Sequence, residues 1–154
     1  MELEATTVEV YLRHAFGQMA GVVDRLDDEK VNVKPHGPRT NSVAALVVHS
    51  CEVAKFWLGH VGLDKPSQRD RDAEFEATAT VAELHARIDE ALAEAVADVG
   101  EMQAGPTALD HPVREIMPGG DTSDAAVVLH VIEELYQHLG HMELTADALA
   151  ERSR

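Results

Sequence analysis

The chain has a single cysteine, Cys51, among its 154 residues, which excludes an internal disulfide framework and gives no sign of an oxidising compartment. Basic residues are scarce: 13 Lys and Arg stand against 28 Asp and Glu, leaving a formal net charge of −15. Binding to phosphates draws on clustered Lys and Arg to displace counterions, so nucleic acid is not an expected partner. An anionic membrane surface is disfavoured on the same ground. No apolar run approaches the roughly 20 residues that a membrane span requires. The opening Met1-Glu2-Leu3-Glu4 is acidic where a signal peptide is basic. Together these absences predict a cytoplasmic protein.

Aromatic residues make up 4% of the chain and hydrophobic residues 45%, most of them Ala, Val and Leu. That is the composition of a largely helical protein. Its length is that of one ordinary domain, here residues 1–154, able to bury a core without disulfides.

Apolar residues recur at three- and four-residue spacing in four stretches, and no stretch alternates as a strand would. The first helix is predicted from near Thr6, where Thr6-x-x-Glu9 has the form of a capping box, to Leu26. Pro35, Gly37 and Pro38 mark a loop. The second helix starts at Thr40, Asn41 or Ser42, all good caps, and runs to about His60. It is apolar around most of its circumference and is expected to be the most buried. Residues 62–79 lack apolar periodicity and read as an exposed connection. That connection is long enough to run back along a helix, so the second and third helices need not be antiparallel. A second capping box, Thr80-x-x-Glu83, opens the third helix, which Gly105-Pro106 ends. The last helix is predicted from Asp121 or Thr122 to near Ala150. The expected fold is all-α.

The last helix holds a stripe of polar side chains, His130, Glu134, His138 and His141, since residues three and four apart share a helix face. Carboxylate oxygen and imidazole nitrogen are ordinary zinc ligands at about 2.0–2.2 Å. His130 and His138 are roughly 12 Å apart by the helical rise, too far for one ion. Glu134 and His138, one turn apart, are the reasonable pair. His49, on the apolar face of the second helix with Leu46, Val53 and Phe56, is the expected third ligand; taken alone it would read as a core histidine with a hydrogen-bond partner. His141 and His130 then take outer roles as support or proton carriers. Cys51 lies about 200° around the helix from His49 and is expected to be an inert core thiol. His60 is roughly 16 Å along the axis from His49, and His14, His36, His85 and His111 have no assignable role.

Asn41-Ser-Val-Ala-Ala-Leu-Val-Val-His49 with Phe56-Trp-Leu-Gly59, and His130-Val-Ile-Glu-Glu134-x-x-x-His138-x-Gly-His141, resemble the two signature segments of the DinB-like superfamily. The likeness is greatest to the branch that contains mycothiol-dependent maleylpyruvate isomerase and related thiol transferases. The resemblance implies a four-helix bundle with a long crossing connection between helices 2 and 3, and His49, Glu134 and His138 as metal ligands. Many superfamily members have three histidines, whereas this branch is similar to the present chain in having Glu at the middle place.

Three protein ligands leave a metal position open, the pattern of catalytic zinc sites. The expected function is a metal-dependent transfer of a low-molecular-weight thiol, mycothiol by resemblance, to an electrophilic small molecule. The divalent metal is expected to be zinc, with nickel or iron as alternatives. A non-catalytic metal-binding or stress-response bundle is the rival reading, and a thiol-dependent isomerase ranks last. A metal-independent hydrolase is set aside because no Ser or Cys stands in a nucleophile setting. A homodimer is compatible with a helix bundle.

Overall fold

The computed structural model describes residues 3–104, 113, 117–121 and 123–152, and among them every regular element is helical. The helices are α1 (Ala5–Val23), α2 (Val43–Ala54), the short α3 (Arg71–Glu74), α4 (Val81–Ala104) and α5 (Asp124–Arg152), with a 3₁₀ turn at Lys30–Asn32 and another at Pro118–Gly120. The third and fourth predicted helices are therefore α4 and α5. The Gly105-Pro106 stop signal and His111 lie outside the described residues.

Leu12, Phe16, Met19 and Val23 bury one face of α1. Its start corrects the expected capping box. Glu4 is the N-cap and makes no side-chain cap, which places Thr6 inside the first turn, and Glu9 pairs with Arg13 instead. The free amide of Ala5 is satisfied from α4, where Gln103 Oε1 accepts it at 3.1 Å. A tertiary partner thus does what a local hydroxyl was expected to do.

Ser42 caps α2, its hydroxyl accepting the Ala45 amide at 3.1 Å, and every residue of α2 except Glu52 is buried. Past Ala54 the helix does not continue as α but widens into a π-helix over Lys55–Gly62, an irregularity often found at functional sites. Gly59 and Gly62 permit close approach to α4 there. A Cβ at Gly59 would stand 3.0 Å from Asp98 Oδ2, and one at Gly62 would stand 2.9 Å from Met102 Sδ.

The Thr80–Glu83 capping box is present: Glu83 Oε2 accepts the Thr80 amide at 2.7 Å, and Thr80 Oγ1 accepts the Glu83 amide at 3.2 Å. Asn32 ties the first loop to this point, donating to the Ala79 carbonyl at 2.9 Å and accepting the Ala79 amide at 3.0 Å. On α5, Ser123 Oγ accepts the Ala126 amide, within two residues of the predicted start.

Both α1 and α2 pack against α4 and α5. Moving from His49 on α2 to Trp57 on its π-helical continuation, the partner on α5 moves back from His138 to His130, so these helices are antiparallel. Cys51, Lys55 and Gly59 approach Arg87, Glu94 and Asp98 in turn, so α2 and α4 are parallel. Antiparallel α1 and α4 join Ala5 to Gln103 and Asp24 to His85. Tyr11 meets Tyr136 and Arg25 pairs with Asp147, which makes α1 and α5 parallel. The core between them contains Leu12, Phe16, Leu46, Leu58, Leu84, Leu135 and Met142, all fully buried. No helix among the described residues is long and apolar enough to cross a membrane.

Candidate metal centre

His49 sits midway along α2 and is 3% exposed. A polar ring so placed must find partners, and it has one on each side. Its Nδ1 lies 2.6 Å from Glu74 Oε2; a carboxylate only accepts, so Nδ1 carries the proton and Nε2 keeps its lone pair. That Nε2 faces Glu134 Oε2 at 4.0 Å. Burial pushes the His49 imidazole below its ordinary pKa, against the pull of Glu74, and the charge of Arg69 lowers it further. For Glu74 burial works against ionisation, but Arg69 and His49 together hold its carboxyl below the usual value. A neutral imidazole donating to an ionised carboxylate is the resulting state.

On α5 the step of four residues brings His138 Nε2 to 3.1 Å from Glu134 Oε2. The rings of His49 and His138 stand at 86° with centroids 4.5 Å apart, so their nitrogens converge from two helices without stacking. Burial, then the neighbouring His49, lowers the His138 pKa, which favours a neutral ring; facing a carboxylate, its Nε2 carries the proton, and a bound cation would take that proton's place. One atom each from His49, Glu134 and His138 lie within 4.8 Å of one another. Ligands at the usual zinc distances in a tetrahedral set are roughly 3.4 Å apart. The separations of 3.1 and 4.0 Å bracket that spacing, and two imidazole nitrogens with one carboxylate are a fitting donor set for a divalent ion.

The other histidines of the stripe stand apart from this group. His130 packs edge-on against Trp57, centroids 4.6 Å apart, with its Nδ1 4.0 Å from Glu133. His141 is exposed, yet its charge contributes to the lowered His138 pKa, so it lies within electrostatic reach. Cys51 is buried on the α4 side, its thiol aimed at the Arg87 carbonyl and pushed up to about 12 by burial. His14 bonds Tyr136 OH at 2.8 Å and His85 pairs with Asp24 at 2.8 Å. His60 Nδ1 lies 2.7 Å from the Lys65 carbonyl.

Residues 62–79 depart most from expectation, because a segment read as an exposed connection contributes a buried carboxylate and a half-buried guanidinium paired with it. Glu74 is 4% exposed, and the Arg69 guanidinium closes on it with Nε–Oε1 at 2.6 Å and Nη2–Oε2 at 3.0 Å. Phe75 follows with its ring 4.6 Å from that of His49. Neither charge has an apolar pattern to announce it. The one legible signal was Asp70, a good N-cap, whose carboxylate accepts the Ala73 amide at 3.1 Å and starts α3. Beside this segment lies a cavity of about 420 Å³ whose lining includes Phe56, His60, Lys65, Arg69, Glu94 and Asp98, within the range of small-molecule sites.

Comparison with known proteins gives the chain a family. The model of the Mycothiol-S-transferase family matches residues 7–150, which is nearly the whole chain. No curated protein and no solved structure matches. The chain belongs to the Mycothiol-S-transferase family.

Proposed function

We propose that this family member is a metal-dependent transferase that joins a low-molecular-weight thiol, mycothiol or a close analogue, to an electrophilic small molecule. The observation that carries the proposal is the convergence of His49, Glu134 and His138 within 4.8 Å. These three side chains would hold one divalent ion, zinc first, with nickel and iron as alternatives of suitable ligand chemistry. When bound, the ion supplies a fixed positive charge that favours the thiolate form of an incoming thiol.

The chain's own groups do the remaining work. Burial favours the neutral form of both imidazoles; His49 presents the Nε2 lone pair directly, and His138 would present its Nε2 once the proton shared with Glu134 is displaced. His130 and His141, outside the ligand group, serve as proton carriers: one imidazole accepts the S–H proton as the new sulfur–carbon bond forms, and returns it to the leaving group or to the product. Leu135 and Leu139, buried on α5 between the site residues, exclude water from the inner side of the centre. The scaffold is proposed to be a single four-helix-bundle domain of DinB-like type with the long connection crossing between α2 and α4. The protein is proposed to act in the cytoplasm as a homodimer, and its charge of −15 argues against nucleic acid as a partner.

Thiol consumption with a panel of electrophiles, run with and without a chelator, tests this reading. Turnover that needs both the thiol and the metal supports it. A protein that binds metal stoichiometrically but consumes no thiol with any electrophile is instead a metal-binding bundle without this chemistry.

A further inference from the structure

We propose that Glu74, clamped by Arg69, is a positioning residue of the metal centre, selecting the nitrogen that His49 presents to Glu134 and His138 and thereby setting the affinity for a divalent ion. The inference rests on the metal-binding reading above and assigns a task to residues outside the ligand set.

Three observations carry it. First, both oxygens of Glu74 are committed in fixed directions. Oε1 accepts from Arg69 Nε at 2.6 Å, and Oε2 accepts from Arg69 Nη2 at 3.0 Å and from His49 Nδ1 at 2.6 Å. A guanidinium that grips a carboxylate through two nitrogens fixes its plane, so the acceptor offered to His49 cannot swing.

Second, the ring of His49 is held on a second side. Phe75, the residue after Glu74, lies against it at 4.6 Å with an interplanar angle of 32°. A flip of the imidazole would cost the Glu74 bond and turn Nε2 away from Glu134. Ring orientation and tautomer are thus set by one short stretch, Glu74-Phe75.

Third, stability alone is a weak reason for this arrangement. An ion pair taken out of water often does no better than break even against apolar packing, and Glu74, buried, and Arg69, half-buried, belong to a charged connection that has little core of its own. Histidines that bind metal usually donate their second nitrogen to a carboxylate or carbonyl, and removing that partner weakens metal binding. Arg69 also lies over the Phe56 ring at 5.2 Å and lines the 420 Å³ cavity. The clamp therefore joins the wall of that cavity to the centre.

Titration of the full chain with Co²⁺, followed by its visible absorption and by competition with a chromophoric chelator, tests the proposal. Glu74→Ala and Glu74→Gln are expected to lose roughly 10- to 100-fold in Co²⁺ affinity and to change the band positions, with His49, Glu134 and His138 all intact. Gln retains an acceptor, so its loss is expected to be the smaller. Arg69→Met is expected to follow in the same direction, and it keeps the test open should Glu74→Ala not fold. Affinity and spectrum unchanged in every variant that folds would overturn the role of Glu74 and leave the metal reading standing. A parent chain that binds no Co²⁺ would sink both.

Discussion

The imidazoles of His49 and His138 meet at 86° with their centroids 4.5 Å apart, on helices that run in opposite directions. Perpendicular rings bring two nitrogens toward a shared point without stacking face to face. Glu134, 3.1 Å from His138 and 4.0 Å from His49, completes that point. The centre is a property of the α2–α5 pairing, and its consequences divide between residues inside the ligand group and residues around it.

His130 and His141 lie outside the group, so their loss is expected to separate metal content from turnover. In thiol-transfer assays, replacing the responsible carrier with Gln should lower kcat by roughly 10²- to 10⁴-fold, the usual contribution of a positioned acid or base. Metal content by elemental analysis should remain at the parental value. His130 is expected to show the larger effect, because it is held against Trp57 at 4.6 Å whereas His141 is exposed. Equal parental kcat in both single variants and in the double variant would remove proton transfer by this stripe.

Cys51 is not expected to supply a reacting sulfur. Its thiol is buried and pushed up to about 12, and the thiolate is the nucleophilic form. Native protein at pH 8 should resist alkylation by iodoacetamide until denaturant is added. Cys51→Ala should keep thiol-transfer activity within about twofold of the parent and cost roughly 1 kcal/mol or less in urea unfolding, the scale of a small buried group. Rapid alkylation of the native state would contradict the burial.

The helical glycines among the described residues fall into two classes that unfolding experiments should separate. A Cβ at Gly59 would stand 3.0 Å from Asp98 Oδ2, and Asp98 is buried and tied to Lys65 at 2.6 Å. Gly59→Ala should therefore destabilise by about 1–3 kcal/mol through overpacking. Gly17 and Gly21 on α1 have nothing within 4 Å of an added Cβ, and Ala at either should stabilise by about 0.4–1 kcal/mol. A stabilising Gly59→Ala would mean that α2 and α4 are not so closely apposed.

The capping box gives a pH signature. The Thr80 amide, followed by its hydroxyl, holds the Glu83 carboxyl below its ordinary 4.5. A carboxylate with a depressed folded-state pKa contributes stability that is present above the unfolded value and lost as pH falls through the folded one. The stability difference between parent and Glu83→Gln, measured by urea unfolding, should be constant from pH 7 to about 5 and shrink below that. A difference that persists unchanged at pH 3 would show that the charge of Glu83 is irrelevant to the cap.

The helices of this protein were legible because their apolar residues recur at helical spacing and because Ser42 and Thr80 with Glu83 mark two starts. The first start was misread at Thr6, since its actual partner, Gln103, lies on a helix that is remote in sequence. Periodicity also could not reveal the change from α to π at Lys55, which leaves the composition of the face unaltered. At the candidate centre, the three converging side chains were readable from chemistry and spacing, helped by a family resemblance. Glu74 and Arg69 were not, because charges that neutralise each other inside a protein look the same in sequence as charges that face water.

Metal content tests the central claim most directly. Protein purified without chelator, or reconstituted with zinc and freed of excess, should hold one equivalent of divalent metal per chain by elemental analysis. His49→Ala, Glu134→Ala and His138→Ala should each lose most of it while remaining helical by circular dichroism. A parent chain that holds no metal after reconstitution, or a His49→Ala protein with unchanged content, would contradict the account.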